Sequence, residues 1–142
     1  MAQRAEMSIE IDVPPKKVYE VISDFAAYPD FLSDVASTSI ISQDKDEWEV
    51  EFGVKIIKQI SYTLRLWGTP GKSLDWKLVK GFMKKNDGGW ALESLDKGKR
   101  TKATYFVDVE FGLMVPKKIV NTVMQANFPT MLKAFKKRCE EG

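Results

Sequence analysis

From Val115 to Glu141 apolar residues recur at the three-and-four spacing of one helical face: Ile119, Val120, Val123, Met124, Phe128, Met131, Leu132 and Phe135. Lys117, Lys118, Lys133, Lys136, Lys137 and Arg138 occupy most of the other sides. At about 1.5 Å per residue this helix would span roughly 40 Å. The segments before it are mostly strand-like, so one long closing helix must be gripped by a curved sheet. Pro116 suits a first helical turn. Pro129 lies inside the pattern and cannot donate to the carbonyl of Gln125, which predicts a bend. The helix is either a plain core element or the roof of a ligand cavity.

Ahead of it the hydrophobic period is two. Met7, Ile9, Ile11 and Val13 alternate with polar residues and stop at Pro14-Pro15. Val18, Val21, Ile22 and Phe25 mark a short helix, and Tyr28-Pro29-Asp30-Phe31-Leu32 turns into a second. Ser37 to Ser42 is a weak strand. Trp48, Val50, Phe52 and Val54 form a clear one, as do Ile60, Tyr62, Leu64 and Leu66. Leu74, Trp76 and Leu78 form another, Trp90 and Leu92 begin the next, and Ala103, Tyr105, Val107, Val109 and Phe111 build the last. Asn86-Asp87-Gly88-Gly89 and Asp96-Lys97-Gly98-Lys99 carry hairpin-turn chemistry. Short turns force antiparallel neighbours, because a parallel partner needs a crossover. The expected fold is α+β, in the order β-α-α-β6-α, with about seven strands in one curved antiparallel sheet around the C-terminal helix.

At 142 residues, 44% of them hydrophobic, with four Trp and eight Phe, the chain can build one core without disulfides or metal. One domain over residues 1–142 is expected. The net charge of +2 comes from 22 basic and 20 acidic residues not gathered into one block, which argues against nucleic acid. No apolar run approaches a membrane span, and Met1 to Glu6 lacks the apolar segment of a secretory signal. With Cys139 as the single cysteine, a cytoplasmic location and a monomer or weak dimer are the expectation. Histidine is absent, which removes the common zinc sites, Ser-His and Cys-His nucleophile pairs and histidine acid–base chemistry. No cofactor or metal is expected. Asp44-Lys45-Asp46-Glu47 lacks the spacing and glycine of a calcium loop and reads as a turn.

Three stretches carry a resemblance. They are Val13-Pro14-Pro15-Lys16-Lys17-Val18-Tyr19 leading to Asp24 and Tyr28-Pro29-Asp30-Phe31-Leu32; the run from Trp76 to Lys85 followed by Gly88-Gly89-Trp90; and Asn127-Phe128-Pro129. In this order, from about Met7 to Cys139, the chain resembles the helix-grip fold of the START-like superfamily, which includes the birch pollen allergen, lipid-transfer domains and polyketide aromatase/cyclases. In local pattern it is similar to the coenzyme-Q-binding and polyketide cyclase/dehydrase branch. Relatives that bind quinone often continue Phe31-Leu32 with a Pro-Trp-Cys-like sequence, whereas Ser33-Asp34-Val35 stands here. Relatives usually carry an apolar residue where Asn86 stands. The resemblance implies the fold and a hydrophobic ligand, and leaves the ligand open.

The inward phase of the strands has only two phenols and some indole N–H groups as polar handles, while charged residues fall on the other phase. An apolar, aromatic-lined cavity suits a quinone, an isoprenoid or another lipid-like molecule. The expected contacts are Phe31, Leu32, Phe52, Tyr62, Leu64, Trp76, Leu78, Trp90, Tyr105, Val107, Met124, Phe128 and Met131. The same side chains could instead simply pack together, with Trp48, Trp76 and Trp90 filling the interior. The alternative is a polyketide cyclase or dehydratase with Tyr62 or Tyr105 as acid; no catalytic residue is assigned. Phe82 and Met83 before Lys84-Lys85 could form a tip that touches a membrane transiently, or could pack inward.

Overall fold

The computed structural model describes residues 2–55, 59–112 and 115–141. Strand β1 (Ala2–Ile11) leads through Pro14 into helix α1 (Pro15–Ile22). A 3-10 turn at Phe25–Ala27 and the single turn α2 (Tyr28–Phe31) come after it. Six strands come next: β2 (Val35–Asp44), β3 (Glu47–Lys55), β4 (Gln59–Thr69), β5 (Ser73–Gly81), β6 (Met83–Leu95) and β7 (Arg100–Phe111). All pair antiparallel in the order β1-β7-β6-β5-β4-β3-β2, so α1 and α2 carry the chain from one sheet edge to the other. The expected α+β helix-grip order is the observed one.

The C-terminal helix begins at Lys117, one residue later than a first-turn Pro116 predicts. It is interrupted rather than simply bent. Helix α3 (Lys117–Thr122) passes through a π turn at Val123–Asn127 into α4 (Phe128–Glu141), and the Phe128 N–H donates to the Val123 carbonyl five residues back. Proline at 129 offers no N–H to the turn before it, and the wider turn absorbs that loss. Pro129→Ala restores a donor. Urea unfolding should show an unchanged or slightly raised midpoint, with new amide protection at position 129; a clearly lower midpoint would contradict this origin of the π turn.

Asn86-Asp87-Gly88-Gly89, expected as a turn, lies inside β6 and pairs with β7 throughout. Chain reversal occurs at Gly81 and Phe82, where Gly81 takes φ 149° and lies so close to Tyr62 that a Cβ would sit 2.4 Å from the Tyr62 Cβ. Gly88 faces Trp76 across the ladder, and a Cβ there would fall 2.6 Å from an indole carbon and 2.5 Å from the Phe106 carbonyl oxygen. The glycines are therefore sites of close approach within strands. The β5–β6 ladder runs only from Ser73 to Trp76 against Ala91 to Gly88; beyond it β5 stays with β4 and β6 with β7.

A bulge at Val79 has a further effect. Thr63 pairs with Lys80 but Leu64 with Leu78, so the extra residue turns Lys80 to the outer face, where plain alternation from Leu74, Trp76 and Leu78 would have placed it inside. At the β2–β3 reversal, Lys45 takes φ 55° and Asp46 accepts the Tyr19 hydroxyl at 2.7 Å, tying α1 to the hairpin.

Candidate functional site

Between the concave sheet face and the C-terminal helix lies a cavity of about 190 Å³. Its sheet wall comes from Phe52 and Val54 on β3, Tyr62, Leu64 and Leu66 on β4, and Leu74 and Trp76 on β5. Strands β6 and β7 add Met83, Asn86, Trp90, Tyr105, Val107, Val109 and Phe111. Val123, Asn127, Phe128, Met131, Ala134 and Phe135 roof it, and Phe25, Tyr28, Phe31 and Leu32 close one end beside Ser33, Asp34, Val35 and Thr130.

Aromatic rings fix this shape. Phe135 meets Tyr28 and Phe31 edge-on at 5.3 Å and Trp90 at 5.1 Å. Tyr105 touches Trp76, Trp90 and Phe128 at 5.1–5.8 Å, and Tyr62 stacks on Phe52 at 5.5 Å. Edge-to-face pairs hold ring orientations as well as adding contact energy. Trp76 and Trp90 line the space without filling it. Trp48, expected on the inward face, is buried against Phe25 at 5.2 Å and is outside the cavity wall.

Of the expected contact residues, Phe31, Leu32, Phe52, Tyr62, Leu64, Trp76, Trp90, Tyr105, Val107, Phe128 and Met131 line the cavity, whereas Leu78 and Met124 do not. Leu78 sits beside the Val79 bulge and packs half-buried against the core. Met124 belongs to the π turn, whose wider spacing gives the facing positions to Val123 and Asn127. Phe82 and Met83 also line the cavity: Met83 is buried and Phe82 packs against Tyr62 at 6.0 Å, so the pair does not form an apolar tip.

The polar inventory differs from the sequence expectation. Asn86, expected in a turn, is buried in the wall and accepts the Trp76 indole N–H on its Oδ1 at 3.0 Å. The Asn-Asp-Gly-Gly run conceals it; its even spacing with Gly88 and Trp90 along one strand face is the signal that could reveal it. Tyr28 donates its hydroxyl to the Ile22 carbonyl. Among the described residues, neither the Tyr62 nor the Tyr105 hydroxyl has a hydrogen-bond partner. Burial pushes Tyr62 up to about 12 and raises Tyr105 further, with the neighbouring Tyr62 adding to the shift. Both stay protonated at neutral pH, as neutral donors. Cys139 is buried on the core-facing side of α4, and burial raises its thiol to about 11, which keeps it an inert thiol at neutral pH.

The Tyr62 shift gives a pH dependence. Its phenol binds its proton more tightly in the folded state, so the stability it contributes is full below pH 10 and falls as pH rises toward about 12. Urea midpoints across that range should fall less steeply for Tyr62→Phe than for wild type. Parallel slopes would contradict a buried phenol.

Among the described residues no helix is long and apolar enough to cross a membrane. The fold is shared with known structures. An aromatase/cyclase from Streptomyces sp. R1128 superposes with a TM-score of 0.87 at 16% identity, over 99% of this chain and 94% of that one. A START superfamily protein from Mycobacterium smegmatis gives 0.84 at 19% identity, over 97% of each chain. In sequence, the ribosome association toxin RatA of Vibrio cholerae is 22% identical over 98% of this chain and 96% of its own length. The family model for polyketide cyclase / dehydrase and lipid transport matches residues 11–136, and on that match the chain belongs to this family.

Proposed function

We propose that the protein binds and carries a hydrophobic, ring-bearing small molecule in the cavity between the sheet and the C-terminal helix. The observation that carries this reading is an aromatic-walled space of about 190 Å³ that the core side chains leave open, furnished with neutral polar groups at Tyr62, Tyr105 and Asn86. An apolar cavity of about 150 Å³ accepts benzene, whereas drug-sized ligands occupy about 300–1,000 Å³. The volume therefore favours one or two fused rings over a folded isoprenoid chain. A quinone ring would fit, with its tail leaving past Ser33, Asp34 and Thr130. Contact with a bilayer through Phe82 and Met83 would first require these side chains to leave the cavity wall.

Gentle purification, solvent extraction and mass spectrometry should recover an apolar ring compound. Repeatedly empty extracts, together with no uptake of an added aromatic probe, would refute the carrier reading. The cyclase or dehydratase alternative draws on the two phenols, which have no hydrogen-bond partner among the described residues, and on the family description. Raised phenol pKa values suit hydrogen-bond donation better than proton transfer, which works best with a pKa near the working pH. If a turnover is found, Tyr62→Phe and Tyr105→Phe both leaving it intact would remove the candidate acids.

A further inference from the structure

We infer that Asn86 is the specificity-determining residue of this cavity, selecting ring ligands that carry an acceptor oxygen, a ketone or quinone carbonyl, over hydrocarbons of the same shape. The inference rests on the reading of the cavity as a ligand site.

An asparagine amide has one acceptor oxygen and two N–H donors, and an indole N–H only donates. The Trp76 indole, 3.0 Å from Oδ1, thus fixes which way the amide points. Its Nδ2 is left with no hydrogen-bond partner among the described residues, on a buried side chain that lines the cavity.

The surroundings hold that arrangement in place. Asn86 is fixed in β6 opposite Val109, and Gly88, two residues on and on the same face, is the space in which the indole lies. Any side chain at 88 would push Trp76 away, because a Cβ would be 2.6 and 2.9 Å from indole atoms. The phenols of Tyr62 and Tyr105 can rotate to donate or accept, but the free end of the Asn86 amide can only donate. A ligand that buries this amide against carbon forfeits its hydration, whereas a carbonyl oxygen satisfies it. One buried, unsatisfied neutral donor amounts to a discrimination of about tenfold or more.

The test uses a matched pair of similar shape, α-tetralone and tetralin, titrated by calorimetry. Wild type should bind the ketone about tenfold or more tighter than the hydrocarbon. Its bound carbonyl stretch should shift to lower frequency, as hydrogen bonding requires. Asn86→Leu should lose most of the ketone preference and weaken the infrared shift while retaining tetralin, the Tyr62 and Tyr105 phenols and the freed Trp76 indole N–H being the donors that remain. Trp76→Phe, which keeps an aromatic wall but releases the amide, should also reduce the preference and so serves if the leucine variant fails to fold. Equal affinities in wild type, or a preference that survives undiminished in a folded Asn86→Leu, would overturn the role of Asn86 while leaving the cavity as a binding site. If wild type binds neither probe, the cavity reading falls, and this inference with it.

Discussion

Leu64→Asp should lower the unfolding free energy by more than about 3 kcal/mol at neutral pH, and abolish uptake of any aromatic probe. Leu64 lies on β4, 5% exposed, in the cavity wall. Among the described residues, no cation lines that wall to pair with a new carboxylate. The carboxyl would be forced toward its neutral form, so its folded pKa would be raised. The damage is therefore greatest at high pH and eases as pH falls through that raised pKa. Leu64→Asn, the same shape without the charge, separates loss of packing from loss of neutrality. Urea unfolding of both variants from neutral to mildly acidic pH should show the two converging at the acid end. A stable, pH-insensitive Leu64→Asp would mean that position 64 faces water.

Phe135→Ala should cost about 3–5 kcal/mol, the range for removing a buried aromatic side chain. Phe135 is 2% exposed, and its ring joins α2, through Tyr28 and Phe31, to the sheet, through Trp90. Its loss would leave three aromatic partners facing a void that merges with the existing cavity. The variant should also admit larger probes than wild type does. A cost below about 1 kcal/mol would place the weight of the helix-to-sheet contact elsewhere along α4.

Strand existence and order are legible in the sequence because alternation is a local property: one face meets the core, so β3, β4 and β7 can be marked residue by residue. The C-terminal helix is legible for the same reason with a different period. Local pattern cannot supply the partner across the ladder. Gly88 and Gly89 look like turn residues until Trp76 and Asp75 are seen opposite them, needing the space a side chain would fill. Asn86 is hidden along with them, and with it a buried amide of the cavity wall. Uninterrupted periods of two and three-to-four place Leu78 and Met124 in the cavity. A bulge at Val79 and a π turn at Val123–Asn127 each insert one residue and so shift the facing of their neighbours. Pro129 signals an irregularity in the helix, but the choice between a bend and a wide turn depends on the packing around it.

Entry of an apolar ring into the space between sheet and helix can be followed by methyl-resolved NMR during titration with naphthalene. Leu64, Leu74, Val107, Val109 and Met131 line the cavity, whereas Ile40, Ile41 and Val79 are exposed on the outside. Saturable shifts are expected at the first group, with ring-to-methyl Overhauser contacts to the same residues and unchanged signals from the second. Shifts confined to Ile40, Ile41 and Val79, or no saturable shift at all, would contradict entry of the ring.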